Sequence, residues 1–309
     1  MSDYFKNLGE RADRAFQNRP IAEFKDRVRA IIGPVAAQLQ GPAQEALDAI
    51  KQKREPTPKQ LAALELVIRT MRPAPLSKNG ELPELEEELN AIFVEWENFR
   101  VSVKPYLYVI GRIDQVGTRG IGTGFLVSKT LLATNKHVLD ILSFGTLKLE
   151  EGQAVVRFRE EYNSGTEKAV AITGVVADHP SLDIALLRIE DTLFTDNRTP
   201  LPIDKGESKV GKRVVTIGYP QQDEKRNKFF VSAVFGDRFG VKRAAPGEII
   251  DTRDQAIFHD CSTLGGNSGS PVISLDTAQV VGIHRSGFFA YRNEAVNGKA
   301  LSDFVNAHT

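Results

Sequence analysis

Three short stretches carry side chains that could do chemistry together. Gly265-Gly266-Asn267-Ser268-Gly269-Ser270-Pro271 sets a serine among glycines. A serine hydroxyl is a weak nucleophile and needs a base to take its proton. The oxyanion it makes from a carbonyl needs N–H donors already aimed at it. Flanking glycines allow a tight turn and leave room for a substrate chain. Ala133-Thr134-Asn135-Lys136-His137-Val138 supplies an imidazole, which titrates near neutrality and can take and return that proton. Asp183-Ile184-Ala185-Leu186-Leu187 opens an apolar run on a carboxylate, a costly group to bury unless it is paired. Asp183 enters the run directly and is preferred to Asp178 as the partner of the imidazole. Each stretch also has a plain structural reading: a polar turn, a half-buried histidine at a strand end, an aspartate capping a strand.

The elements that must position these residues follow from periodicity. From about Lys104 the chain reads as short apolar runs between Gly, Asn, Asp and Pro: YLYVIGRI, GTGFLVS, TLLATNKHV, QAVVRFRE, AVAITGVV, DIALLRI, RVVTIGYP, KFFVSAVFG, AIFHD, SPVISL and QVVGIH. That spacing predicts about eleven strands of an all-β barrel or sandwich, with a closing helix over Lys299 to Ala307. Before residue 100 the period is helical. Helices are predicted over Pro20 to Val35, Pro42 to Arg54, a segment starting at Thr57-Pro58-Lys59-Gln60, and Glu84 to Arg100. Thr57 as N-cap, Pro58 at the first helical position and Gln60 form a capping box. The division reads 1–76 as a helical module, 77–104 as linker and acidic helix, and 105–309 as the β domain.

Composition narrows the function. In 309 residues, 40 Lys and Arg balance 40 Asp and Glu, which argues against a nucleic-acid-binding polycation. No apolar run is long enough to span a bilayer, and the charged start MSDYFKNLGERADRAF does not read as a secretory signal. The single cysteine, Cys261, cannot form an internal disulfide, so a reducing cytoplasm is the expected compartment. Cys261 reads as a small buried side chain. His179, His259 and His308 lack ligand-spaced partners, so no metal and no cofactor are expected.

In their order, TNKHV, DIALL and GGNSGSP resemble the trypsin-like serine peptidases of the chymotrypsin fold, over roughly residues 105–306. The order His, Asp, Ser is theirs and not that of subtilisin-like enzymes or α/β-hydrolases. The resemblance implies an all-β double antiparallel barrel, here preceded by a small all-α domain. It implies His137 as base, Asp183 as its orienter, Ser268 as nucleophile, and the N–H groups of Gly266 and Ser268 as oxyanion hole. Asn267 stands where animal members carry an aspartate that pairs with a new N-terminal ammonium, so that activation route is not expected. The pair Thr263 and His284 resembles the bacterial glutamyl endopeptidase branch, which implies a pocket for Glu before the cut, with Asp and Gln as alternatives.

The reading is therefore a serine endopeptidase of polypeptides, with the helical module regulating or targeting it through a protein partner. The module weakly resembles adaptors of bacterial signalling and defence proteins. Self-cleavage near Glu84 to Glu88 is a corollary. Two other functions fit less well: a stress peptidase, for which a trailing peptide-binding module finds no room before Thr309, and a silent peptidase-like scaffold, although all three reactive positions are filled.

Overall fold

In a computed structural model of the chain, the described residues are 3–17, 19–24, 36–72, 74–86, 92–164, 169–191, 198–223, 228–288 and 292–309. Twelve strands form two closed six-stranded antiparallel barrels, as the double-barrel reading required. The first holds β1 (Ile110–Gln115), β2 (Thr118–Leu126), β3 (Leu131–Thr134), β4 (Ala154–Arg157), β5 (Val170–Asp178) and β6 (Ala185–Ile189), in the order β1-β2-β3-β6-β5-β4. The second holds β7 (Arg213–Gly218), β8 (Arg243–Arg253), β9 (Ala256–His259), β10 (Pro271–Ser274), β11 (Val280–Phe288) and β12 (Arg292–Asn297), in the order β10-β11-β12-β9-β8-β7. Closure removes the unpaired edges that a sheet would otherwise expose.

Ten of the eleven predicted runs contribute to strands, and one does not. KFFVSAVFG forms a helix, Lys228–Phe235. Its β-branched and aromatic content suggested a strand, but buried Val231, Val234 and Phe235 recur at helical spacing and pack with Ala74, Ile249 and Leu264. Strands β8 and β12 were not foreseen. Pro246 and Gly247 read as a break, yet Pro246 stays in register opposite Val215. Strand β12, RNEAVN, is too polar to stand out, although Ala295 and Val296 are buried.

The N-terminal helices are α1 (Asp3–Ala15), α2 (Ala36–Lys51) and α3 (Pro58–Thr70), with a 3₁₀ turn at Ile21–Phe24. They share a core of Leu8, Phe16, Ile21, Leu47, Leu64, Val67 and Ile68. Helix α1 was not predicted. Helix α2 begins before Pro42, because burial of Ala36 on the bundle core extends it past the proline. The predicted helix over 20–35 lies outside the described residues beyond Phe24. The Thr57 capping box is present in both directions: Thr57 Oγ1 accepts from the Gln60 N–H, and Gln60 Oε1 accepts from the Thr57 N–H.

The helix predicted over 84–100 is instead α4 (Trp96–Val103), and residues 87–91 lie outside the described residues. Its apolar side chains do not join the bundle. Phe93, Trp96, Phe99 and Val103 are buried in the same core as the barrel residues Ile113, Phe125 and Leu132. The Trp96 Nε1–H donates to the Pro83 carbonyl at 2.9 Å, and Arg213 of β7 grips Glu95 at 2.6 and 2.8 Å. Residues 74–81 run beside the start of β8, with Ala244 N–H donating to Pro75 O at 3.0 Å and Ser77 N–H to Lys242 O at 3.0 Å. Among the described residues no helix is long and apolar enough to cross a membrane. Replacing Trp96 by Ala should cost about 3–5 kcal/mol of barrel stability through the cavity it leaves. Urea unfolding followed by a barrel-specific probe measures this; a loss confined to bundle unfolding would contradict the packing.

Candidate active site

The three reactive side chains come from both barrels. His137 sits in the first turn of α5 (Lys136–Leu142), directly after β3. Asp183 lies two residues before β6, which pairs with β3, so the pairing of Thr134 with Ala185 brings the two together. The Asp183 carboxylate receives the His137 backbone N–H on Oδ1 at 3.0 Å and meets ring Nδ1 through Oδ2 at 2.7 Å. The Asn135 amide donates to the Asp183 carbonyl at 2.8 Å and fixes its backbone. Asp178 pairs with Lys136 instead, which separates the two candidate aspartates.

Burial pushes the Asp183 carboxyl up, but the hydrogen bonds from the His137 ring and backbone outweigh it and hold the group below its ordinary range. An ionised carboxylate only accepts, so Nδ1 carries the ring proton and Nε2 keeps its lone pair. That is the tautomer a base toward a serine needs. Among the described residues no hydrogen bond joins the Ser268 hydroxyl to the ring. Such contacts are often loose before substrate binds.

The loop around Ser268 is held from three sides. Thr123 of β2 donates its N–H to Ser268 O at 2.8 Å and its hydroxyl to Gly266 O at 2.7 Å. Gly266 and Gly269 both adopt φ of +85°, where a side chain is strained. A Cβ on Gly269 would stand 2.1 Å from Thr123 O, and one on Gly266 would stand 2.4 Å from Tyr219 O. Only glycine allows the loop to press this closely on β2.

The orientation of two amides follows from their carbonyls. Gly265 O accepts from Gln221 N–H at 2.7 Å, and Asn267 O accepts from Ser270 N–H at 2.9 Å. In a planar trans peptide the N–H points opposite to its C=O. The N–H groups of Gly266 and Ser268 therefore turn away from these contacts, and neither meets an acceptor among the described residues. Two unengaged amides flanking a serine are what a developing oxyanion requires. Asn267 is buried, and its side-chain oxygen lies 3.5 Å from the Ser270 hydroxyl.

Thr263 and His284 lie on one wall of the second barrel. Thr263 donates its hydroxyl to Asn293 Oδ1 at 2.9 Å, and Asn293 donates to Cys261 O. His284 is 3% exposed, and its Nδ1 lies 3.2 Å from Nε2 of His259. His259 and Asn293 are the residues that sequence reasoning missed. His259 was set aside as lacking partners in sequence, and Asn293 lies in the unforeseen β12. Only the pairing of Asn293 with His259 and of Ala295 with His284 reveals the group.

The buried Nδ1 of His259 has no partner among the described residues. An unfilled acceptor costs less than an orphaned donor, which assigns the His259 proton to Nε2 and directs it at His284 Nδ1. His284 then carries its own proton on Nε2. Burial holds His284 well below its ordinary range, and it lowers His259 to about 3. Both rings are neutral donors at neutral pH. Cys261 is buried, and burial together with Asp260 raises its thiol to about 12. Arg285 pairs with Glu294, so its charge is already engaged. His179 serves its own turn, with its Nδ1 accepting from the N–H groups of Ser181 and Leu182 at 3.1 and 2.9 Å.

The buried histidines set a pH dependence. The folded chain excludes the charged rings, so unfolded chains bind more protons below about pH 6.5. The stability this contributes is complete above that pH. It is lost as pH falls below that, for His259 down to about 3, at up to about 1.4 kcal/mol per pH unit for each ring. The melting temperature should fall between pH 7 and 5, before the carboxylates titrate, and fall less steeply in His259→Asn. Calorimetry of both proteins across that range measures the slopes; equal slopes would reject the assignment.

A family model described as the trypsin-like peptidase domain matches residues 122–283, just over half of the 309 residues. A serine endoprotease from Yersinia pestis superposes with a TM-score of 0.50 at 19% identity, covering 68% of this chain. This chain spans 65% of the length of that one. An inactive form of Rv3671c from M. tuberculosis H37Rv aligns at 20% identity over 67% of this chain and 89% of its own, with a TM-score of 0.46. At 19% identity the Yersinia pestis structure speaks for the fold alone. With the matched span running from β2 through the Ser268 loop into β11, the chain belongs to the trypsin-like peptidase family.

Proposed function

We propose that the protein is a serine endopeptidase that works through an acyl-enzyme. The observation that carries this reading is the two-point grip of Asp183 on His137, at 3.0 and 2.7 Å, which leaves Nε2 as the ring's free base. Ser268 Oγ attacks the substrate carbonyl, and its proton passes to His137 Nε2. The oxyanion is met by the N–H groups of Gly266 and Ser268. As the tetrahedral species collapses, the C–N bond breaks and the imidazolium returns its proton to the leaving amine. Water then repeats the sequence on the acyl ester and frees Ser268. Asp183 stays ionised throughout and stabilises the imidazolium.

The preference we infer is Glu before the cut bond, with Asp and Gln as the competing acceptors. The neutral Nε2–H of His284 supports an oxygen-bearing side chain, because a buried carboxylate or carboxamide needs its hydrogen bonds satisfied; the Thr263 hydroxyl, whose proton goes to Asn293, orients the opposite wall. The absence of charge on these rings makes Gln a real competitor. The bundle of α1 to α3 is the regulatory or targeting part in this reading. A single buried cysteine suits a reducing, cytoplasmic setting.

Cleavage of a mixed peptide library by the full chain, with Ser268→Ala as blank, tests both levels. Cuts clustered after Glu are expected, and Asp183→Asn should lower kcat by about 10⁴-fold. Cuts after unrelated residues would remove the pocket and keep the peptidase. No cuts above the blank would remove the peptidase. Self-processing at Glu84 to Glu88, of which Glu87 and Glu88 lie outside the described residues, predicts Ser268-dependent shortening of the purified chain by mass spectrometry.

A further inference from the structure

The bundle meets the second barrel through a buried group of charges that the mechanism does not use. Arg11 of α1 donates to both oxygens of Glu65 at 2.9 and 2.7 Å, and its Nε donates to Asp260 Oδ2 at 2.8 Å. Arg72, just past α3, donates to the same Asp260 oxygen at 2.7 Å. The other Asp260 oxygen accepts the Glu248 backbone N–H at 2.7 Å. Arg11, Glu65, Arg69, Arg72 and Asp260 are all 4% exposed or less. The bundle thus brings three guanidinium groups and one carboxylate into the interface, and the barrel supplies the second carboxylate. Such a group is costly to assemble and costlier to break, because a lost partner leaves a charge buried alone.

Asp260 occupies a telling position in the chain. The residue before it is His259, whose ring backs His284. The residue after it is Cys261, whose carbonyl holds the Asn293 amide that in turn accepts from Thr263. Both walls of the candidate pocket therefore hang from the peptide units on either side of Asp260. Gly247 presses against this turn so closely that a Cβ would lie 2.6 Å from Asp260 Oδ1 and 2.7 Å from Cys261 N. The turn has little room to take another shape while Asp260 is held. Released from the bundle, the carboxylate would seek water, and the turn with it.

We propose that Arg11 and Arg72 are positioning residues for substrate recognition: by holding Asp260 they fix the chain from which His259, Cys261 and Thr263 present the pocket. The proposal rests on the reading of Thr263 and His284 as pocket walls. It makes the bundle a built-in part of specificity and not an appended module. It also separates two functions within one site. The Ser268 loop is held by the backbones of Thr123, Gln221 and His284, none of which bonds to Asp260, so on this proposal acylation chemistry does not depend on Asp260.

The test uses the full chain with Asp260→Asn and Arg72→Met, and two readouts. One is the labelling rate of Ser268 by a small fluorophosphonate, which needs the nucleophile and the oxyanion donors but no filled pocket. The other is KM and kcat on matched peptides with Glu or Ala before the cut. Both variants should raise KM for the Glu peptide about tenfold, the equivalent of about 1.4 kcal/mol. Labelling rate, kcat and the Ala peptide should stay within about twofold. Leu47→Ala, which weakens the bundle core without touching the charge group, should leave every kinetic value unchanged below its melting transition. Unchanged Glu KM in folded Asp260→Asn and Arg72→Met would overturn the proposal. So would labelling and KM worsening together in all three variants in step with lost stability. A parent protein that labels but does not favour Glu, Asp or Gln would overturn the pocket reading, and the proposal with it. One that does not label would overturn the peptidase reading itself.

Discussion

The candidate site depends on the contact that Thr123 makes across the seam between the barrels. From β2 of the first barrel its N–H reaches Ser268 O and its hydroxyl reaches Gly266 O. The same hydroxyl lies 3.3 Å from the Tyr219 N–H, and its carbonyl accepts from Thr134, one residue before Asn135. Thr123 is fully buried, so its N–H and hydroxyl would be left unpaired if the barrels moved apart. The Ser268 loop of one barrel is thereby registered against the His137 segment of the other. A site split between two closed barrels has no covalent continuity to hold it. Hydrogen bonds in a buried seam supply the registration.

The same low-dielectric setting gives the polar groups their roles. Asp183 is partly buried and remains ionised because His137 offers it two donors. His259 and His284 are buried with no carboxylate bonded to either ring, and they stay neutral. One barrel thus carries an anion poised to stabilise a cation, while the other carries a chain of neutral donors.

The N-terminal third is built into this arrangement by different forces in different places. Helices α1 to α3 have an apolar core of their own and meet β8 and Asp260 by charge. Residues 92–103 have no separate core and complete that of the first barrel. The segment between them runs along β8 with backbone hydrogen bonds. A chain attached in this manner sets the bundle against Asp260, the residue next to Cys261, by buried ion pairs. It does so through rigid contacts and not through a tether.

The sequence by itself determined the fold class and put forward the candidate reactive set. Ser268 in its glycine-bracketed turn, His137 after an apolar run and Asp183 before one are local signals, and each lies within three residues of a short buried strand. The Thr57 capping box was equally legible, because all its partners lie within four residues. What is set by distant partners was not. Whether KFFVSAVFG is strand or helix depends on what covers Val231, Val234 and Phe235. Whether Trp96 serves the bundle or the barrel depends on which cavity it fills. His259, Asn293 and Asp260 carry no local pattern at all, since their partners are 25, 32 and 249 residues away. Local chemistry and periodicity are written in neighbouring residues. Burial and the pairing of buried charges are decided only when the chain closes on itself, and only the tertiary structure could decide them.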